Sequence, residues 1–257
     1  KGSDVEQLAE DFWNIRGDFH IARVINVGTH MSLARRPNGR FVLLDSYETG
    51  QADRDALMKL TDGGKAIDAV LNLHPFHTLH CGFIQGLLPH VRLIGTRRHH
   101  EQCPDLDWDP ALIEEAETQR EFVDTFDFSM PAGVDFVSDD PAVHVGSVLA
   151  RHRTGRIVHA DDTFNIFDLP WPIDKLMSGP TIRFHPKLAA GLEKRAGAAD
   201  DYVRWATDLR HEWANTQIVA TAHNSIARMA DQGFATAIAQ ALAAASDTID
   251  DHRRKYG

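Results

Sequence analysis

Apolar and polar positions along the chain switch between the two periods that mark strands and helices. Phe19 to Leu33 clusters β-branched and apolar residues, as in His20-Ile21-Ala22-Arg23-Val24-Ile25-Asn26-Val27, after a polar opening segment. Arg36-Pro37-Asn38-Gly39 breaks the run, and Arg40-Phe41-Val42-Leu43-Leu44-Asp45-Ser46 follows as a strand ending on an acid. Asn-Gly suits the left-handed backbone of a tight hairpin, so the two runs are predicted to pair antiparallel. Ala52, Ala56, Leu57 and Leu60 then fall at helical spacing, and Gly63-Gly64 ends that helix.

Val70-Leu71-Asn72-Leu73 and Val91 to Thr96 read as short buried strands. Pro110 to Phe122 reads as a charged amphipathic helix with Asp109 as its cap and Pro110 at the first helical position. In the second half, Val134 to Val137, Val143 to Ala150 and Arg156 to Ala160 read as strands. The Pro- and Trp-rich stretch Phe167 to Pro172 interrupts regular structure as a connector. Helices over about Pro186 to Lys194 and Asp200 to Ala214 precede a strand from Gln217 to His223, and an Ala-rich helix over 231–250 closes the chain. This order predicts an α/β chain forming one domain of two sheet-forming halves, roughly 1–130 and 131–257.

With 257 residues the chain can bury a sizeable core. Its formal charge of -10, from 37 acidic and 27 basic side chains, argues against a nucleic-acid partner, and Arg97-Arg98 and Arg253-Arg254-Lys255 are short and isolated. Ala69 to Val91 lacks Asp, Glu, Lys and Arg, but its four histidines, two prolines and two glycines exclude a membrane helix. Cys81 and Cys103 are too few for a disulfide framework, which fits a reducing, cytoplasmic setting. No basic-then-apolar leader opens the chain at Lys1, and removal of one beforehand stays open.

Candidate chemistry concentrates where the strand ending at Leu73 meets its loop. His74, His77 and His80 follow at intervals of three, before Cys81 and Gly82. Neutral imidazole is the commonest protein ligand for zinc and suits iron, so this spacing points to a metal; the alternative is a polar turn. His99-His100 reads as surface, and His152 and His159 as ordinary strand histidines.

The order of these pieces resembles the metallo-β-lactamase superfamily. The Asn-Gly hairpin, the strand ending in Asp45 and the strand ending in histidines are similar to its first half. Val143-His144-Val145-Gly146-Ser147 resembles the family's second-half histidine, Val158-His159-Ala160-Asp161-Asp162 its bridging aspartate, and Ala222-His223-Asn224 its last histidine. The match covers most of residues 19 to 230. The family's H-x-H-x-D-H signature is degenerate here: with His80 as anchor, Pro75 falls on the first histidine and Leu79 on the aspartate.

The resemblance implies a four-layer αββα sandwich and a metal set of His74, His77, His80, His144, Asp161 and His223. Asp161 and Asp162 are the implied catalytic carboxylates, the first as ligand and the second as its support; adjacent acids also close strands or cap helices. Asp45, Asn72 and Thr78 are further candidates to brace the ligands. With no acid at Leu79, one divalent ion is expected rather than two, zinc first, with iron or manganese as alternatives. The implied activity is metal-dependent hydrolysis of a small-molecule ester, thioester, lactone, amide or phosphoester. An iron-dependent oxidoreductase on the same fold, and a binding protein whose site has decayed, are the other two readings. Oligomeric state is not legible.

Overall fold

The computed structural model describes residues 3–17, 20–21, 25–26, 29–167, 181–222 and 226–257. The chain divides into two compact units: Lys1–Phe128 with Arg151–Gly155, and Ser129–Ala150 with Arg156–Gly257.

In the first unit the strands Val5–Ala9, Phe12–Gly17, Thr29–Arg35, Phe41–Leu44, Ile67–Leu71, Arg92–Gly95 and Trp108–Leu112 form one seven-stranded sheet, neighbours in space following chain order. The first four pair antiparallel, and the expected Asn-Gly hairpin joins Thr29–Arg35 to Phe41–Leu44, with Gly39 at φ 81 and Arg36 N–H donating to Arg40 O at 2.7 Å. From Phe41–Leu44 onward the pairing is parallel, because helix Gln51–Leu60 carries the chain back before the next strand starts. Gly63 and Gly64, at φ 65 and 84, end that turn as the sequence indicates. Trp13, Ile15, Met31, Leu33, Leu43, Val70 and Ile84 pack the core.

The opening segment is a strand pair rather than a polar lead-in. Phe12, Trp13, Asn14 and Ile15 are all buried, so both faces are covered and no alternation marks the strand. Pro110 to Phe122 is not one helix either. Trp108–Leu112 is the last strand of the sheet, and only Ala116–Arg120 is helical. An edge position tolerates Pro110, which cannot donate to a ladder, and Asp109 accepts from Arg92 Nε at 2.7 Å and from Ala111 N–H at 3.0 Å.

In the second unit, Ile157–Ala160 pairs parallel with Ile218–Thr221, which pairs antiparallel with Ile226–Arg228. Phe164–Phe167 pairs antiparallel with Thr181–Phe184. Helices Ala198–Glu212 and Gly233–Ala244 contribute Tyr202, Trp205 and Phe234 to a core that also holds Phe164 and Phe184. Val134 to Val137 is irregular apart from a bridge from Val134 to Leu192, and Val143 to Ala150 becomes a strand only at Leu149–His152. Gly146 explains part of this: a Cβ there would lie 2.9 Å from Phe136 Cα, so the segment is pressed against another backbone rather than laddered. The helix expected over Pro186 to Lys194 shrinks to Leu188–Gly191, and the closing helix breaks at Ala245 into Gly233–Ala244 and Ser246–Tyr256. The stretch Phe167 to Pro172 lies outside the described residues after Phe167. No helix among the described residues is long and apolar enough to cross a membrane.

Candidate functional site

In the first unit the site begins at the C-terminal ends of three parallel strands. Asp45 leaves Phe41–Leu44 at φ 63, a left-handed turn rare outside glycine, with its N–H bonded to Leu71 O at 2.8 Å. Its Oδ1 accepts the Leu73 N–H at 2.8 Å. Asn72 donates to Ile94 O at 3.2 Å and accepts from Ser46 Oγ at 2.6 Å. Asp45 and Asn72 therefore brace the backbone from which the histidine loop departs.

His74 is fully buried, and its Nδ1 accepts the Phe76 N–H at 3.1 Å. A backbone N–H can only donate, so in the neutral ring the proton sits on Nε2. His77 N–H closes the turn onto His74 O at 3.0 Å, and the two rings stack with centroids 4.1 Å apart and planes 17° apart. His80 turns elsewhere: it lies edge-on to Tyr47 at 5.7 Å, with Nδ1 4.0 Å from Glu48 Oε2. Burial lowers its pKa, and Glu48 opposes the shift. The ligand atoms of His74, His77 and His80 do not all gather within 4.8 Å of one another. Leu79, which the resemblance aligns with the family's aspartate, is 72% exposed.

His99 is buried, not a surface residue. Its Nδ1 accepts the Thr96 N–H at 3.1 Å and closes a capping box at the start of helix Arg97–Gln102, and burial pushes its pKa down to about 3. Cys81 is also buried, its Sγ 3.6 Å from Asn72 Oδ1, with its pKa raised to about 12 by burial. A thiol held so fully protonated acts as a small apolar group.

In the second unit, His144 Nδ1 lies 2.7 Å from Asp162 Oδ2, and Asp162 is buried. The ionised carboxylate accepts, so the proton sits on Nδ1 and the lone pair on Nε2. Asp161 and Asp162 follow the strand Ile157–Ala160, whose register with Ile218–Thr221 continues as Ala222 N–H bonds Ala160 O at 3.1 Å. His223 lies outside the described residues. Next door, Thr163 Oγ1 is 2.7 Å from Ser147 Oγ and 3.3 Å from Val145 O, which fixes the loop around His144.

Two histidines without a functional assignment in the sequence stand beside these groups. His159 and Asp161 each offer a ligand atom within 4.8 Å of the other, and both are buried. The signal was available, since positions two apart on a strand share a face. His185 meets the His144 ring edge-on at 5.5 Å, and Lys187 N–H donates to its Nδ1 at 3.0 Å. No sequence signal linked it to His144, 41 residues earlier.

No protein-family model matches the chain, and no curated protein matches it in sequence. Solved structures do match in shape. A metallo-β-lactamase from Erythrobacter litoralis is 12% identical and superposes with a TM-score of 0.60, covering 96% of each chain. One from Hirschia baltica is 13% identical at a TM-score of 0.57, over 94% of this chain and 98% of that one. One from Pontibacter korlensis is 11% identical at 0.56, over 94% and 99%. Identities this low speak to architecture alone. Across nearly its whole length, the chain has the fold of the metallo-β-lactamase superfamily.

Proposed function

We propose that this chain is a metal-dependent hydrolase acting on a small molecule with an ester, thioester, lactone, amide or phosphoester bond. The proposed ligands are His144 and Asp161, with His74, His77, His80 and His223 as the further members of the set that the resemblance implies. The observation that carries the reading is the 2.7 Å bond from His144 Nδ1 to Asp162 Oδ2. A carboxylate on the far nitrogen of an imidazole is the usual companion of a metal-binding histidine, because it fixes the tautomer and makes Nε2 more basic.

The donor set fits a divalent cation. Asp161 and Asp162 are 1% and 2% exposed, and a cation offsets the cost of holding two carboxylates away from water. When bound, such an ion supplies Lewis acidity and ionises water near neutral pH. The chain's own part is to hold the proton on His144 Nδ1 through Asp162, and to balance charge through Asp161. Leu79 brings no proton for a leaving group, so a substrate with a good leaving group, such as an activated ester or thioester, is favoured over an amide.

Elemental analysis of the purified, zinc-supplemented protein, paired with hydrolysis assays on chromogenic ester, thioester, lactone, phosphodiester and β-lactam probes, tests this. Zinc near one equivalent with turnover lost in His144→Ala supports it. Iron with visible absorption supports the oxidoreductase reading instead, and absence of metal after supplementation supports a binding protein.

A further inference from the structure

Helix Arg97–Gln102 grips the loop that carries His74 and His77. Arg98 Nη1 donates to Pro75 O at 3.0 Å, and the guanidinium carbon sits 4.1 Å from the centroid of the Phe76 ring. Cys103, just beyond the helix, places Sγ 3.9 Å from Thr78 O. The helix is itself pinned: Thr96 Oγ1 lies 2.9 Å from His99 Nδ1, and Arg97 N–H donates to Glu114 Oε1 at 2.8 Å. Arg98 makes no ion pair among the described residues, so charge neutralisation does not account for its placement.

Pro75 and Phe76 link His74 to His77 along the chain, and their backbone sets how the two stacked rings meet. Pro75 has no N–H, so its carbonyl is its sole polar backbone group. The Phe76 N–H is the donor that fixes the His74 ring, and His77 N–H closes onto His74 O. A shift of Pro75-Phe76 therefore disturbs both. Arg98 resists that shift twice over, since a flat guanidinium can lie on an aromatic face while one of its N–H groups bonds a carbonyl. A lysine ammonium, a point charge with no plane, can satisfy the carbonyl but not the stack.

The geometry points to Arg98 as a positioning residue that holds the Pro75-Phe76 turn, and through it the mutual placement of His74 and His77. Its bearing on metal affinity rests on the function proposed above; its bearing on the loop does not.

Hydrogen exchange on the metal-free protein reads the loop directly. Arg98→Ala should speed exchange at the Phe76 and His77 amides by about tenfold or more, because a charge-assisted bond is lost. Amides of the strand Ile67–Leu71 should keep their protection, which separates local release from general loosening. Arg98→Lys, which retains the bond to Pro75 O, should recover protection to within about threefold of the wild type. Zinc affinity, read by competition with a chromophoric chelator, should fall by less than about tenfold in Arg98→Ala, no more than the loss expected for removing His74 itself, and be partly rescued in Arg98→Lys. Unchanged exchange at Phe76 and His77 overturns the inference, and so does release in Arg98→Ala that spreads equally to Ile67–Leu71. If the wild type binds no zinc, the proposed function fails while the exchange result still decides the role of Arg98.

Discussion

The His144–Asp162 pair and the His74–His77 turn present imidazoles in opposite protonation patterns. In the second unit a buried carboxylate holds the proton on His144 Nδ1, which places the lone pair on Nε2. In the first unit a backbone N–H occupies the Nδ1 lone pair of His74, so a neutral ring carries its proton on Nε2. Taking a cation at His74 Nε2 requires that proton to leave and the Phe76 contact to yield, whereas the tautomer of His144 already places a lone pair on Nε2. Imidazoles in one fold can thus differ in readiness for a cation: one is set by a side chain dedicated to it, the other by the turn it happens to close.

The sharpest way to break the comparison is to remove each ring in turn. His144→Ala should abolish stoichiometric zinc in elemental analysis, the largest effect expected. Asp162→Asn, which leaves the ring but withdraws the charge, should weaken zinc by about 10–100-fold in chelator competition, with Nδ1 no longer pinned. His74→Ala should cost less than about tenfold, because the ring must surrender an existing hydrogen bond to bind. Equal losses in His74→Ala and His144→Ala would erase the distinction.

The smallest effect is a control that should leave metal alone. His152 sits against Phe12 and Phe126, with ring centroids 5.2 and 6.1 Å away, and burial lowers its pKa to about 4 despite Asp11. Its folded value is below the unfolded one, so between about pH 6.5 and about pH 4 the unfolded chain takes up a proton that the folded chain refuses. Stability should therefore fall with pH across that window, by about 1.4 kcal/mol per unit at most from this group. Urea unfolding of wild type and His152→Asn at pH 7 and pH 5 should show a shallower pH dependence in the variant, with zinc content unchanged.

Local chemistry was legible in the sequence wherever one residue type dictates it. Asn38-Gly39 and Gly63-Gly64 adopt positive φ at the glycines, and the Ile67–Leu71 and Ile157–Ala160 strands deliver His74 and Asp161 as expected. What failed was decided by neighbours far along the chain. Pro110 accepts a strand because Trp108–Leu112 is at a sheet edge, and Phe12 to Ile15 hides its period because both faces are covered. His99 looked solvated within Arg97-Arg98-His99-His100, yet its ring turns inward to cap its own helix. The histidine loop was recognisable as a cluster, but spacing alone gave no sign that His80 would face Glu48 and Tyr47 while His74 and His77 stacked.

Zinc stoichiometry after supplementation and exhaustive dialysis decides whether His144, oriented by Asp162, is a metal ligand. About one equivalent is expected in the wild type and about a tenth of that or less in His144→Ala, both proteins being folded by circular dichroism. A wild type without zinc, or a His144→Ala variant that retains as much as the wild type, would contradict it.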